Sequence, residues 1–144
     1  MKFIVRKAEE KDLQAIAGLY STKKEYPHAP FGREKSEKFK AMLGDFTRSI
    51  LVGEKNDIVR AFISLKIEHR FENALLPSAI INDLKAEDND AEMLCAILSR
   101  AIAVAMENEC KEITLYDKNI TAEKFSLYSI CGFKESKNFF RKQL

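Results

Sequence analysis

The sequence lacks an unbroken apolar stretch of the roughly 18 residues that a membrane span requires, so no spanning helix is expected. Its opening, MKFIVRKAEEKDL, lacks the apolar centre of a secretion signal, and a cytoplasmic protein is the expectation. Cysteine is scarce: Cys95, Cys110 and Cys131 are an odd number without a Cys-x-x-Cys spacing, which leaves zinc unsupported. Cys95 and Cys131 fall inside apolar helical patterns, where a free thiol behaves as a small hydrophobe. The two histidines, His28 and His69, form no arrangement that would make a base for a thiol nucleophile, and no metal site is expected. A dominant charge is missing too. Lys and Arg number 24 against 22 acidic residues, so the excess is +2. A dedicated nucleic-acid binder would concentrate its basic residues on one face, so no nucleic-acid partner is expected. Repeats, low-complexity tracts and linkers rich in Pro, Gly or Ser are absent as well.

What is present suits one compact domain. The 144 residues are 46% hydrophobic, enough for a single core, and residues 1–144 read as one unit. KFIVRKA at 2–8 alternates as a strand does, and Leu13, Ile16, Ala17 and Tyr20 then recur at helical spacing over 10–22, with Asp12 in the first turn. EYPHAPFGREK is irregular, and His28 within it reads as a loop residue. A second helix is expected over 35–44, with Gly44 as its stop. SILVGEKNDIVRAFISLKIEHR reads as a hairpin that turns at Lys55-Asn56-Asp57, and LPSAIINDLKA continues the meander. Leu94, Ile97, Leu98, Ala101, Ile102 and Ala105 define a helix that is apolar on most sides. KEITLY is a short inner strand, AEKFSLYSICGF a short helix closed by Gly132, and KNFFRKQL a final strand. The order β-α-α-β-β-β-α-β-α-β describes an α/β (α+β) domain, a mixed central sheet flanked by helices.

Ahead of the apolar helix, LKAEDNDAEMLCAIL crowds Glu87, Asp88, Asp90 and Glu92 around Asn89. Asn89 or Asp88 is suited to cap the helix, and Asn89-x-x-Glu92 has the form of a capping box.

The element order resembles that of the GNAT N-acetyltransferase superfamily, and the likeness spans essentially the whole chain. IVRKAEEKDLQAIAGLY resembles the family's opening: a strand ending in Arg, a small residue, then Asp before an apolar helix. LVGEKNDIVRAFISL resembles its second and third strands, and YSICGF matches its Tyr-x-x-x-Gly-Phe through Tyr128, Gly132 and Phe133. The resemblance implies acetyl transfer from acetyl-CoA to an amine of a small molecule or peptide, in a protein that can form a homodimer. It implies that Tyr128 donates a proton to the departing thiolate, a role that suits a phenol near pKa 10. It also implies an amine-deprotonating carboxylate near the fourth strand, for which Asp83 is the choice, with Asn82 and Glu54 also considered.

The same resemblance puts the cofactor along Leu84 and Ala86 of the fourth strand. From there it would pass Asn89, Asp90, Ala91, Glu92, Met93 and Leu94, and reach Asn119. The family's Arg/Gln-x-x-Gly-x-Gly/Ala phosphate cradle is missing here; only Ala96 fits any of it. At about 5 Å two like unit charges repel by roughly 0.8 kcal/mol in water and several-fold more near a protein surface. An acidic cradle would therefore disfavour a pyrophosphate unless Lys85, Lys118 or Lys124 offset it. A second reading follows from that departure: a non-catalytic GNAT-fold binding or regulatory module that no longer binds acetyl-CoA.

Overall fold

The computed structural model describes residues 3–20, 32–69, 71, 74–117, 120–136 and 139–144. Strand β1 (Phe3–Lys7) leads through a single 3-10 turn into α1 (Leu13–Tyr20), and α2 (Arg33–Gly44) follows. The meander is β2 (Arg48–Lys55), β3 (Ile58–His69) and β4 (Pro77–Ala86). Then come α3 (Ala91–Glu107), β5 (Glu112–Leu115), α4 (Ala122–Ile130), β6 (Lys134–Ser136) and β7 (Phe139–Gln143). The seven strands form one sheet in the order β1-β2-β3-β4-β5-β7-β6. Neighbours are antiparallel except β4 and β5, which α3 joins as a crossover.

Strand alternation divides the apolar residues between two faces. Leu51, Ala61, Ile63 and Leu65 point to the larger core, built with Met93, Leu94, Ile97 and Leu98 of α3 and with Tyr128 of α4. Ile50, Val52 and Phe62 point the other way, onto Ile16 of α1 and Phe39 of α2. The sheet is thus a middle layer between two helical layers. The hairpin turns on Asn56 and Asp57, both with positive φ (55° and 65°), the two-residue geometry that Asn and Asp tolerate best after glycine.

The opening motif acquires a physical explanation. Arg6 donates to both carboxylate oxygens of buried Asp12, at 2.7 and 2.9 Å, and to Glu54 at 2.8 Å. Asp12 also accepts from the Glu9 amide at 2.7 Å. One guanidinium so ties β1, the turn before α1, and β2.

Two local expectations are corrected. The expected order ended in one strand, which KNFFRKQL does form as β7, but a short polar strand without alternation, β6, precedes it and pairs with it antiparallel. The cap of α3 is Asp90, not Asn89 or Asp88, and the box pairing Asn89 with Glu92 is not formed. Asp88 and Asn89 both take left-handed backbone (φ 54° and 52°), so the helix begins only after them.

Candidate active site

The sheet opens where its parallel pair ends. β4 and β5 stay in register from Ala79 opposite Ile113 to Ile81 opposite Leu115. The Tyr116 amide donates to the Ile81 carbonyl at 3.0 Å, and there the ladder stops. β4 runs on to Ala86, and a bulge sets it apart: Ser64 faces Asp83 and Leu65 faces Ile81, leaving Asn82 as the extra residue. A bulge bends its strand and increases local twist. The opening therefore lies at the carboxyl end of the parallel strands, where open α/β sheets receive ligands. It holds a cavity of about 550 Å³ lined by Tyr20, Asn82, Asp83, Tyr116, Asp117 and Lys124, among others. A smaller one, about 150 Å³, lies between the starts of α3 and α4, against Asn89, Ala91, Leu94, Thr121, Lys124 and Leu127. Lys124 borders both.

Each wall of the larger cavity carries a carboxylate held by a phenol. Asp83 accepts from the Tyr20 hydroxyl at 3.1 Å, and the Tyr20 ring packs edge-on against Phe62 at 5.5 Å. Burial, then the charge of Asp83, raises the Tyr20 phenol above its ordinary pKa. The Lys85 ammonium sits 5.8 Å over the same ring. On the opposite wall Asp117 Oδ2 accepts from Tyr128 at 2.6 Å and lies 3.4 Å from Lys124 Nζ. Tyr128 is fully buried, its ring edge-on to Phe140 at 5.2 Å. Burial, then the hydrogen bond to Asp117, pushes its phenol well above the usual range, so it stays protonated.

Local sequence explains how α4 presents this wall. The Thr121 hydroxyl accepts from the Lys124 amide at 3.2 Å and caps the helix start. At the other end the Gly132 amide donates to Ser129 and the Phe133 amide to Tyr128, a left-handed cap with Gly132 at φ +91° and Phe133 buried.

The acidic stretch is wired to the hairpin and to its own helix. Asp90 Oδ1 accepts from the amides of Glu92 at 3.0 Å and Met93 at 3.3 Å, while Oδ2 lies 3.4 Å from Lys55. Burial opposes the charge of Asp90, but the Met93 amide and Lys55 outweigh it and hold the carboxyl below its usual range. Arg60 donates to Glu87 at 2.6 Å. Two of the four carboxylates thus have cationic partners, and two amides at the start of α3 are occupied by Asp90.

The residues expected to carry function are therefore spread over three places. Asp83 and Leu84 line the larger cavity, while Asn89, Ala91 and Leu94 line the smaller. Tyr128 stands behind Asp117 and borders neither. Ala86 and Met93 are core residues, Met93 lying against Gly53, where a Cβ would come within 3.3 Å of its sulfur. Glu92 is exposed, Glu54 belongs to the Arg6 network, and Asn119 and Lys118 lie outside the described residues, as does His28. Sequence reasoning missed Tyr20, Tyr116 and Asp117. The signal available for the last two was their place directly after an inner parallel strand. Among the described residues no group of three His, Cys, Asp or Glu side chains is arranged to hold a metal, and no helix is long and apolar enough to cross a membrane.

No protein-family model matches the chain, and no curated protein matches it. Solved structures do. A transcriptional regulator from Bacillus halodurans superposes with a TM-score of 0.83 at 17% identity, covering 95% of this chain and 96% of that one. An acetyltransferase from Trypanosoma brucei gives 0.77 at 17% identity, covering 95% and 96%. The PaiA N-acetyltransferase of Thermoplasma acidophilum, in complex with coenzyme A, gives 0.69 at 18% identity over the whole of both chains. The chain has the fold of the GNAT N-acetyltransferases, with a mixed seven-stranded sheet that opens between β4 and β5.

Proposed function

We propose that the protein is an acyl-CoA-dependent N-acyltransferase that acetylates an amine of a small molecule or peptide. The observation that carries this reading is the opening between β4 and β5, with Asp83 on one wall and Asp117 with Lys124 on the other. Beyond its last β5 rung, β4 offers Asp83 to Ala86 as a strand edge, which suits the two amides of a pantetheine arm by strand-like pairing. Leu84 and Ala86 would contribute backbone there, and Asn89, Ala91 and Leu94 would line the continuation of the arm. Asp83 is placed to orient an amine and to receive its proton as the new C–N bond forms. Tyr128 keeps its proton at neutral pH, as the proton donor of the family must, but faces the opening only through Asp117.

The acyl half of such a cosubstrate fits these residues better than the diphosphate half. Asp90 fills amides that a phosphate would need. That contact favours the second reading, a GNAT-fold module without acetyl-CoA binding. Calorimetric titration with acetyl-CoA at moderate salt separates the two. Saturable binding, followed by coenzyme A release in the presence of a panel of primary amines, is the expected outcome; no binding at millimolar ligand would sink the acyltransferase. Replacing Asp90 with glycine is expected to tighten binding, since it frees both amides and removes a like charge.

A further inference from the structure

We propose that Lys124 is the group that meets the departing thiolate, and that Asp117 and Tyr128 act behind it as positioning residues. This rests on the acyltransferase reading above. Three observations point to Lys124. It borders both cavities, and among the described residues it is the one their linings share, so a ligand occupying the two would lie against it. It is nearly buried, at 8% exposure, in the capped first turn of α4, which fixes its backbone. And its ammonium shares a single oxygen of Asp117 with the Tyr128 hydroxyl, at 3.4 and 2.6 Å. Tyr128 itself is fully buried and borders neither cavity.

The geometry favours a cation over a proton donor here. As the amine nitrogen bonds to the carbonyl carbon, the C–S bond breaks and its electron pair goes to sulfur. The amine proton goes to Asp83, and the sulfur leaves as thiolate. A phenol aimed at the sulfur could give up its proton, but here the Tyr128 hydroxyl is committed to Asp117 Oδ2 at 2.6 Å and borders neither cavity. Burial and Asp117 make the Tyr128 proton harder still to remove. An ammonium close to the sulfur needs no proton transfer. It stabilises the developing charge directly, and does so most effectively where water is excluded. Asp117 holds the ammonium in place, and the Tyr128 hydroxyl draws the carboxylate's charge toward the core. Among the described residues, the other charged groups facing the opening, Asp83 and Lys85, lie on the β4 wall.

The test uses coenzyme A itself as the probe, titrated by calorimetry at pH 7 and pH 9, on either side of thiol ionisation. Wild-type protein, Tyr128→Phe and Lys124→Arg are expected to bind coenzyme A several-fold tighter at pH 9, and Lys124→Met to lose that gain. In coenzyme A release with the amine panel, Lys124→Met should lose about 100-fold in kcat. Tyr128→Phe, which loosens Asp117 without removing the ammonium, should lose clearly less in kcat than Lys124→Met and keep the pH-dependent gain in coenzyme A binding. A Lys124→Met protein that keeps the pH-dependent gain overturns the proposal. So does a Tyr128→Phe protein that loses as much in kcat as Lys124→Met. Wild-type protein that binds no coenzyme A at either pH overturns the acyltransferase reading and this proposal together. Binding and transfer that Lys124→Met leaves unchanged overturns this proposal alone. Lys124→Arg, which keeps the charge, separates lost chemistry from lost folding.

Discussion

Asp90 uses one carboxylate to cap α3 and to hold the β2–β3 hairpin through Lys55. Replacing it with alanine should cost about 1 kcal/mol in urea unfolding, the ordinary value of a helix cap. Arg6 and Asp12 form a tighter unit, since Asp12 is buried. Arg6→Ala strands that carboxylate, and a loss of about 3 kcal/mol is expected by the same measurement. Both carboxyls also set an acid limit. Burial pushes Asp12 up, but the Arg6 and Glu9 hydrogen bonds win, so its folded pKa, like that of Asp90, lies below the ordinary 3.8. A carboxyl depressed in the folded state binds protons more readily when unfolded. Its stabilisation is complete above the unfolded value and disappears as pH falls through the folded one. Thermal midpoints should therefore hold at neutral pH and drop below about pH 4, with Arg6→Ala flattening the drop.

Helix α4 brings a cavity-lining lysine and part of the core together in nine residues. Its first turn carries Lys124, its middle buries Tyr128, and its end depends on a residue that accepts φ +91°. Gly132→Ala should destabilise by about 1 kcal/mol through backbone strain, and the added Cβ would also displace the Lys142 ammonium that lies against Gly132. Tyr128→Phe removes a hydrogen bond to a charged, mostly buried acceptor, so a loss of about 2 kcal/mol with the fold retained is expected. Chemical denaturation of the two variants checks both values. The bulge in β4 has the complementary role. It turns one strand away from its neighbour without interrupting the core, because Ile81 and Ala86 on either side of it remain buried.

The molecule as a whole is a sheet filled on both faces and opened at one end. Ile97 lies at the centre of the α3 face with no exposed surface. Ile97→Ala should cost about 3 kcal/mol, measured as an earlier but still cooperative urea transition, because the cavity it leaves sits between rigid layers. The opening between β4 and β5 lies at the end of that packing and is lined mainly by polar side chains, Asn82, Asp83, Asp117 and Lys124 among them.

Most of the architecture was legible in order. Alternation marked β1 and β3; the hairpin and its continuation marked β2 and β4; KEITLY read as a short inner strand; helical spacing marked α1, α2 and α3; Asn56-Asp57 marked the hairpin turn; and Gly132-Phe133 marked the end of α4. Each of these signals lies within a few residues of chain, where backbone geometry and local hydrogen bonds decide. Strand β6 was not legible, since its short polar segment is held by pairing with β7 and not by its own pattern. The cap was off by one because two left-handed residues, invisible in composition, precede it. The site was least legible of all. Tyr20 meets Asp83 across 63 positions, and Tyr128 of α4 meets Asp117, two residues past β5, across 11. The amino-acid order settled which elements form and that their apolar faces enclose one sheet, since both follow from local periodicity and burial. Which carboxylate each phenol holds, and that Lys124 rather than Tyr128 borders both cavities, was decided by how α1, α4 and the ends of β4 and β5 pack in three dimensions, since neither local periodicity nor spacing fixes which side chains meet.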